Sequence, residues 1–242
     1  MTDKDSITAL ASNQTNNYEA NILIWSCLDI LSNLWSKRIG KSKCKLLGSR
    51  LIFAEFLCDY YGDIFQKVSL SDVWYRIDKG NFYLASKKPD YNCDYKLPDK
   101  VIELLQNLKR SSPPIDLELD SRKLRTISDD LNLKDILTKF DNYECKQMDV
   151  IREWLMLSSY GAIAYKEMRN AYVHEGRGGK GSHGFQLHEF KTRPTYLSYV
   201  HTTPPKMGFS VEFMLNVLSN CIDSFEKDSI KLQQDPVSNN VS

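Results

Sequence analysis

The sequence has little that would build a disulfide scaffold or a membrane-spanning protein. Its six cysteines are scattered along 242 residues with no close pair, which favours reduced thiols over disulfide bonds. No long hydrophobic run is present, because the most apolar window, Asn21 to Trp35, is interrupted by Asp29 and is too short to cross a bilayer. The amino terminus is polar and acidic, unlike a signal peptide. These absences predict a cytoplasmic protein that does not enter a membrane.

Net charge is also nearly absent. The chain has 32 basic and 31 acidic residues and a formal net charge of +1, so it offers no global electrostatic argument for binding nucleic acid. Such an argument depends on local patches, of which there are two. The run from Lys37 to Arg50 contains no acid, and the segment from Arg169 to Lys206 has a local net charge of +4. Because basic loops occur on many proteins, each patch alone is weak evidence.

Apolar residues recur at helical spacing in four stretches and predict an all-α bundle. The first helix is expected from Tyr18 to Lys37, the second from about Phe53 to near Val68, and the closing helix from Phe209 to Lys227. The central helix would run without interruption from Cys145 or Met148 to His174. At that length it would be roughly 40 Å long and could serve as the spine of the bundle.

The segment between the second and central helices has a less regular pattern, and we interpret residues 71–140 as an elaboration of the bundle. Ser71 to Leu97 is expected to hold a short helix followed by an irregular or hairpin segment. Asp99 to Arg110 is predicted as a helix, and Ser128 with Asp129 and Asp130 should open another that ends at Phe140.

The domain organisation follows from composition. Residues 1–17 and 233–242 are rich in polar residues and are expected to be flexible tails around one helical domain, residues 18–232. After the central helix, the stretch from Phe185 to Val200 alternates in polarity and predicts a small β-hairpin.

The most informative segment for function is Arg169-Asn170-Ala171-Tyr172-Val173-His174, at the end of the central helix and just before Gly176. It combines a permanent cation, an amide and a titratable imidazole. On an ideal helix Asn170 and His174 share one face with Lys166, whereas Arg169 and His174 lie about 140° apart. Two arrangements would bring these two together: the arginine curls around the helix, or the helices of two subunits face each other.

These side chains suit RNA cleavage by attack of a 2′-hydroxyl on its own phosphodiester. Imidazoles have an ordinary pKa of about 6.5 and can accept or donate a proton near neutral pH. A guanidinium offers two parallel donors to the phosphorane, which carries more charge than the diester. Asn170 could orient the histidine ring or a phosphate oxygen. Since DNA lacks the 2′-hydroxyl nucleophile, this chemistry predicts selectivity for RNA.

The Arg-Asn-Ala-Tyr-Val-His segment on a long amphipathic helix resembles the signature of the HEPN superfamily, small α-helical proteins many of which cut RNA without a metal. The resemblance covers about Met148 to Gly176 and implies an HEPN-like helical bundle with Arg169, Asn170 and His174 as catalytic residues and no cofactor. It also implies a homodimer with a composite cleft, acting as a toxin or defence effector. The alternative is a catalytically silent HEPN-like module that binds RNA, nucleotide or protein.

The resemblance also implies a regulatory partner protein or antitoxin. Some HEPN toxins carry a tyrosine two residues after the histidine, which a nucleotidyltransferase antitoxin modifies. Here that position is Gly176, so regulation of that kind is not expected. Positive side chains near the motif are candidate contacts for an RNA backbone, and they are Lys166, Arg177, Lys180, Lys191 and Arg193.

Two other interpretations stay open. Histidine and arginine near a helix carboxyl terminus are favoured by the helix dipole, and glycine commonly ends a helix, so the motif could be structural. That interpretation predicts a buried helix end with His174 capping its own carbonyls. The second open interpretation is a zinc site formed by His183, His188 and His201. No cysteine pair or His-Glu helix motif accompanies these histidines.

Overall fold

The computed structural model describes most of the chain. The described residues are 17–45, 47–84, 95–108, 130–140, 142–182, 192–196 and 206–232. The two predicted tails lie outside these ranges, apart from Asn17. Within them the architecture is predominantly α-helical, as the periodicity predicted. No helix in the described ranges combines the length and apolar character needed to cross a membrane.

The bundle is built from helices at both ends of the chain. They are α1 (Asn17–Lys37), α2 (Lys41–Cys44), α3 (Ser49–Tyr60) with a 3₁₀ turn (Asp63–Gln66), α8 (Tyr160–Ile163) continuing through a π-helical turn (Ala164–Arg169) into α9 (Asn170–Glu175), and α10 (Val211–Lys231). The predicted first and closing helices are therefore confirmed. Ser210 begins α10 because its hydroxyl accepts a hydrogen bond from the Phe213 amide at 3.1 Å.

The intervening segment contains shorter elements. They are α4 (Leu70–Asp78), α5 (Asp99–Gln106), α6 (Leu133–Leu137) with a 3₁₀ turn (Thr138–Phe140), and α7 (Cys145–Met156). Three antiparallel pairs of two-residue strands accompany the helices: β1 (Lys67–Val68) with β4 (Leu131–Asn132), β2 (Tyr83–Leu84) with β3 (Tyr95–Lys96), and β5 (Thr195–Tyr196) with β6 (Met207–Gly208).

Two of the strand pairs test the two predicted hairpins. The β2–β3 pair confirms a hairpin after the short helix α4. The predicted strand after the motif segment is present at β5, but its partner β6 lies beyond the predicted limit of Val200. Residues 197–205, which connect the two strands, lie outside the described ranges.

Two hydrophobic clusters hold these elements together. The first joins α1, α3, α8 and α10, and its fully buried side chains include Trp25, Phe53 and Met214. The second lies under the intervening segment and includes Trp154 and Val101. Each large apolar side chain that becomes fully buried contributes about 1.5–3 kcal/mol to folding. The two clusters meet along α3 and α8, which supply side chains to both.

The junction between the clusters depends on a small residue. A Cβ atom at Gly161 would lie 2.9 Å from the Ala54 Cα, so only glycine allows this approach of α8 to α3. The small residues Ser158 and Ala162, close to Gly161 in the sequence, are buried as well.

Two predicted helix limits were wrong. The second helix ends at Tyr60 rather than near Val68, because Gly62 adopts a φ of 118° and ends the regular backbone. Ser128 and Asp129 lie outside the described residues. Because α6 begins at Leu133, Asp130 does not open the predicted helix. Instead its buried carboxylate accepts hydrogen bonds from the Tyr160 hydroxyl at 2.6 Å, the Tyr196 hydroxyl at 2.5 Å and the Leu70 amide at 2.9 Å.

The central helix is also not continuous, contrary to the prediction. It breaks after Met156, and Ser159 has an extended backbone with its hydroxyl accepting from the Ala162 amide at 3.2 Å. The Ser158 carbonyl accepts from the Ser69 amide at 2.9 Å, and Val68 forms a β-bridge with Ser159. The break therefore lets the motif segment, α8 to α9, take a direction independent of α7.

Two arginines, the half-buried Arg50 and the buried Arg76, donate to carbonyl groups around this break. Arg50 donates to the carbonyl of Ala162 at 2.9 Å and to that of Leu157. Arg76 donates to the carbonyl of Trp154 at 2.7 Å and to the Ser158 hydroxyl at 3.0 Å. Burial lowers the pKa of both guanidinium groups, that of Arg76 to about 10. These contacts replace the helical hydrogen bonds that are missing at the break.

Candidate functional site

The motif segment contains a wide helical turn immediately before its polar residues. Ala164–Arg169 is π-helical, and the Asn170 amide donates to the carbonyl of Tyr165, five residues earlier. One additional residue in a turn rotates everything after it by about 100° relative to an uninterrupted α-helix. Such turns are rare in proteins, and those that do occur are often found at functional sites. The orientation of Asn170 to Glu175 is therefore set by this turn.

Gly176 ends the segment as predicted. It adopts a left-handed φ of 67°, and its amide donates to the Tyr172 carbonyl at 3.1 Å. The helix ends at Glu175, one residue after His174, and the histidine side chain is exposed. The purely structural interpretation expected a buried His174 capping its own carbonyls, whereas its ring nitrogen Nε2 faces Arg169.

One chain brings the three predicted catalytic residues together. Arg169 Nη1 donates to Asn170 Oδ1 at 2.8 Å and lies 3.4 Å from His174 Nε2. Whether that nitrogen accepts a hydrogen bond depends on its tautomer. Of the two arrangements that the sequence left open, the structure contains the one in which the arginine curls around its own helix. A cation, an amide and an accessible imidazole consequently meet at the surface.

Asp29, on α1, holds the arginine from the other side. Its Oδ2 is 2.5 Å from Arg169 Nη2, and the two side chains are only 18% and 15% exposed. The Tyr165 ring lies under the guanidinium, 5.1 Å from its centre. Burial alone would lower the pKa of Arg169, but the hydrogen bond and negative charge of Asp29 outweigh it and raise that pKa. The guanidinium therefore stays charged in a fixed position.

Sequence reasoning missed Asp29 as a site residue. A signal was present, because Asp29 is the one acid inside the most apolar window of the chain. A partly buried carboxylate on a helix requires a cationic or hydrogen-bonding partner. The sequence alone could not indicate that this partner would be Arg169, 140 residues away.

The predicted RNA-binding residues have varied surroundings. Lys166 is exposed, with its Nζ 2.7 Å from Glu167 Oε1. Arg177 and Lys180 are exposed on the loop after α9, and Arg177 Nε is 3.4 Å from Glu175 Oε2. Arg193 is half-buried beside β5, and Lys191 lies outside the described residues. The structure places Lys166, Arg177 and Lys180 on or directly after the motif segment.

The glycine-rich loop after the motif, Gly176 to Ser182, docks onto the π-helical turn. The amides of Gly179 and Gly181 donate to Glu167, the first to its carbonyl and the second to its carboxylate, both at 2.7 Å. The histidines of the alternative zinc site, His183, His188 and His201, lie outside the described residues. Within the described ranges no group of three or more metal-binding side chains is present.

Comparisons of the chain with protein-family models, with curated proteins and with solved structures found no match.

Proposed function

We propose that the chain is a metal-independent endoribonuclease of HEPN type. The observation that carries the proposal is the contact of Arg169 with both Asn170 and the exposed His174, in a single chain. These groups supply phosphate stabilisation and proton transfer at one accessible point, which is what transesterification of RNA requires. The predominantly helical fold and the placement of the motif at a helix end agree with an HEPN-like bundle.

In the proposed reaction His174 accepts the proton of a ribose 2′-hydroxyl, whose oxygen attacks the adjacent phosphorus. The 2′-oxygen–phosphorus bond forms as the bond to the 5′-oxygen breaks, and the leaving oxygen takes a proton from an acid, either water or a second imidazole. The products are a 2′,3′-cyclic phosphate and a 5′-hydroxyl. Arg169 stabilises the charge that accumulates on the phosphorane, and Asn170 with Asp29 fixes the guanidinium.

The proposal includes a homodimer whose two motif segments face a common cleft. Helix α1, which carries Asp29, exposes two large apolar side chains seven residues apart, Leu23 at 39% and Ile30 at 58%. Residues at this spacing lie on one side of a helix. A second subunit packed on α1 would cover them while lying close to the Asp29–Arg169 pair.

The first test is cleavage of mixed RNA by purified protein in excess EDTA. We expect cleavage that leaves 2′,3′-cyclic phosphate ends. A phosphodiester that follows a 2′-deoxyribose should not be cut, because the nucleophile is missing. Arg169→Ala and His174→Ala should each reduce the rate by about 10²–10⁴-fold. His174→Ala should leave the melting temperature unchanged because the ring is exposed. Full activity in both variants would contradict the proposal.

Mixing the two inactive variants tests how the subunits cooperate. Arg169 and His174 meet within one chain. Each heterodimer of the variants would therefore contain one site without Arg169 and one site without His174. We therefore expect no recovery of activity after subunit exchange. Recovery would mean that Arg169 of one subunit acts with His174 of its partner, which is the arrangement implied by a site composed across the interface.

The second candidate function is the silent module that binds RNA, nucleotide or protein. It is favoured by the Arg169–Asp29 ion pair, because the carboxylate already occupies one edge of the guanidinium. This alternative predicts RNA binding without any cleavage under the conditions above. The role as a toxin or defence effector, and an antitoxin as partner, belong to the proposed ribonuclease and stay part of that proposal.

A further inference from the structure

The loop from Gly176 to Ser182 is bound to one residue of the π-helical turn. Glu167 accepts the Gly179 amide at its carbonyl and the Gly181 amide at Oε2, both at 2.7 Å. The carboxylate is mostly buried, with a side-chain exposure of 12%, and its other oxygen is 2.7 Å from Lys166 Nζ. Charge-assisted hydrogen bonds of this kind are the stronger ones in proteins. Glu167 thus links the turn firmly to the loop that follows it.

Glycines at positions 179 and 181 allow the loop to approach Glu167 closely. A Cβ atom at Gly179 would lie 2.6 Å from Glu167 Oε2 and 2.9 Å from its backbone oxygen. At Gly181 it would lie 2.6 Å from the Glu167 Cδ. All three distances are below any ordinary contact. At Gly179 one of the opposing atoms belongs to the backbone, whereas at Gly181 the opposing atom belongs to the Glu167 carboxylate. Glycines 179 and 181 therefore have a steric reason.

The far end of the loop is fixed as well. The Ser182 hydroxyl donates to the Gly179 carbonyl at 2.7 Å, and the Met207 amide donates to the Gly181 carbonyl at 2.9 Å. Met207 belongs to β6, which leads directly into α10. The loop accordingly connects the π-helical turn to the core through β6, and the turn is held from outside its own helix.

Glu167 lies two residues before Arg169, inside the turn whose last hydrogen bond is made by the Asn170 amide. A π-helical turn is an irregular backbone state that persists where its surroundings support it. We propose that the loop supports this turn through Glu167 and so keeps Arg169 beside His174, which makes Glu167 a positioning residue. The effect on cleavage rests on the proposed ribonuclease function, whereas the effect on the turn does not.

Hydrogen exchange of the Asn170 amide, measured by NMR, tests the structural part. Glu167→Ala removes the carboxylate without adding atoms, and Gly181→Ala adds a methyl group that displaces the Glu167 carboxylate from the loop. Both should accelerate Asn170 exchange by at least about tenfold, while the Met214 amide in α10 reports global stability and stays protected. Gly48→Ala is the matched control, because nothing lies within 4 Å of its added Cβ. Unchanged Asn170 exchange in Glu167→Ala overturns the inference.

Glu167→Gln separates the hydrogen bond from the charge. Its amide oxygen can still accept from Gly181, although the ion pair with Lys166 is lost. We expect exchange and activity close to those of the native protein. If the glutamine variant behaves like the alanine variant, the hydrogen bond to the loop is not the link, and the inference fails. The glutamine variant also gives a result if Gly181→Ala does not fold.

Steady-state cleavage tests the consequence for the site. Displacing a catalytic group by about 1 Å can reduce a rate on the order of 100-fold. We expect Glu167→Ala to lower kcat on that order with little change in KM, because the groups that bind RNA are retained. Faster Asn170 exchange with native kcat would overturn the link to the site. Faster exchange in a protein that never cleaves RNA would support the structural inference and remove the proposed function.

Discussion

Replacing Asp29 with alanine should destabilise the protein and disable the candidate site together. The carboxylate is 2.5 Å from Arg169 Nη2, and both side chains are less than a fifth exposed. Exposed ion pairs contribute about 0–1 kcal/mol, whereas removing one partner of a buried pair costs about 3–5 kcal/mol. This pair is mostly but not fully buried and lies between those limits. We therefore expect the free energy of unfolding to fall by about 2 kcal/mol. For a chain of this size that is about 4–8 °C in melting temperature.

The matched control is Asp59→Ala. Asp59 also forms an ion pair, with Lys43 at 2.6 Å, but the lysine side chain is 55% exposed. Screening by water should limit its contribution to less than about 1 kcal/mol, and it lies on α3 rather than at the candidate site. Denaturant titration and thermal unfolding of both variants would measure the difference. An equal loss of stability in the two variants would refute the reasoning from burial.

A double-mutant cycle isolates the pair. Arg169→Ala also loses its contacts with Asn170 and His174, so its single effect overstates the ion pair. Combining it with Asp29→Ala should give a coupling energy of about 1–2 kcal/mol, because each single variant leaves an uncompensated charge. RNA cleavage by Asp29→Ala should fall at least about tenfold, since the released guanidinium is no longer held in place. Native activity would show that Asp29 does not position Arg169.

Three further predictions concern other parts of the molecule. Gly161→Ala should cost about 1–3 kcal/mol in denaturant titrations, because its Cβ would meet the backbone of α3, while Gly48→Ala should change little. Leu23→Asp combined with Ile30→Asp should convert a dimer to a monomer on a sizing column. The control Leu104→Asp changes an exposed leucine on α5 and should leave the dimer intact. A native protein that runs as a monomer would refute the dimer. The basic groups to be neutralised together are Arg177, Lys180, Lys191 and Arg193. Their loss should weaken RNA binding uniformly across sequences and reduce the salt slope by about 0.7 per lost contact; an unchanged slope would place the RNA elsewhere.

Much of the fold could be predicted because it depends on short-range spacing. Apolar residues in α1 and α10 recur at intervals that place them on one side of a helix, and those sides are buried in the structure. Gly176 likewise marked the end of the motif helix. Such features depend on neighbours within one or two turns, so the order of the residues determines them.

The candidate site required the tertiary structure. The predicted central helix breaks at Ser158 and Ser159 because Arg50, Arg76 and Ser69, all distant in sequence, take over its polar groups. The motif named Arg169, Asn170 and His174, but Asp29 joined them only when α1 packed beside α9. The sequence determines which charged side chains are present, whereas the folded structure determines which of them are desolvated and therefore need an opposite charge or a hydrogen bond.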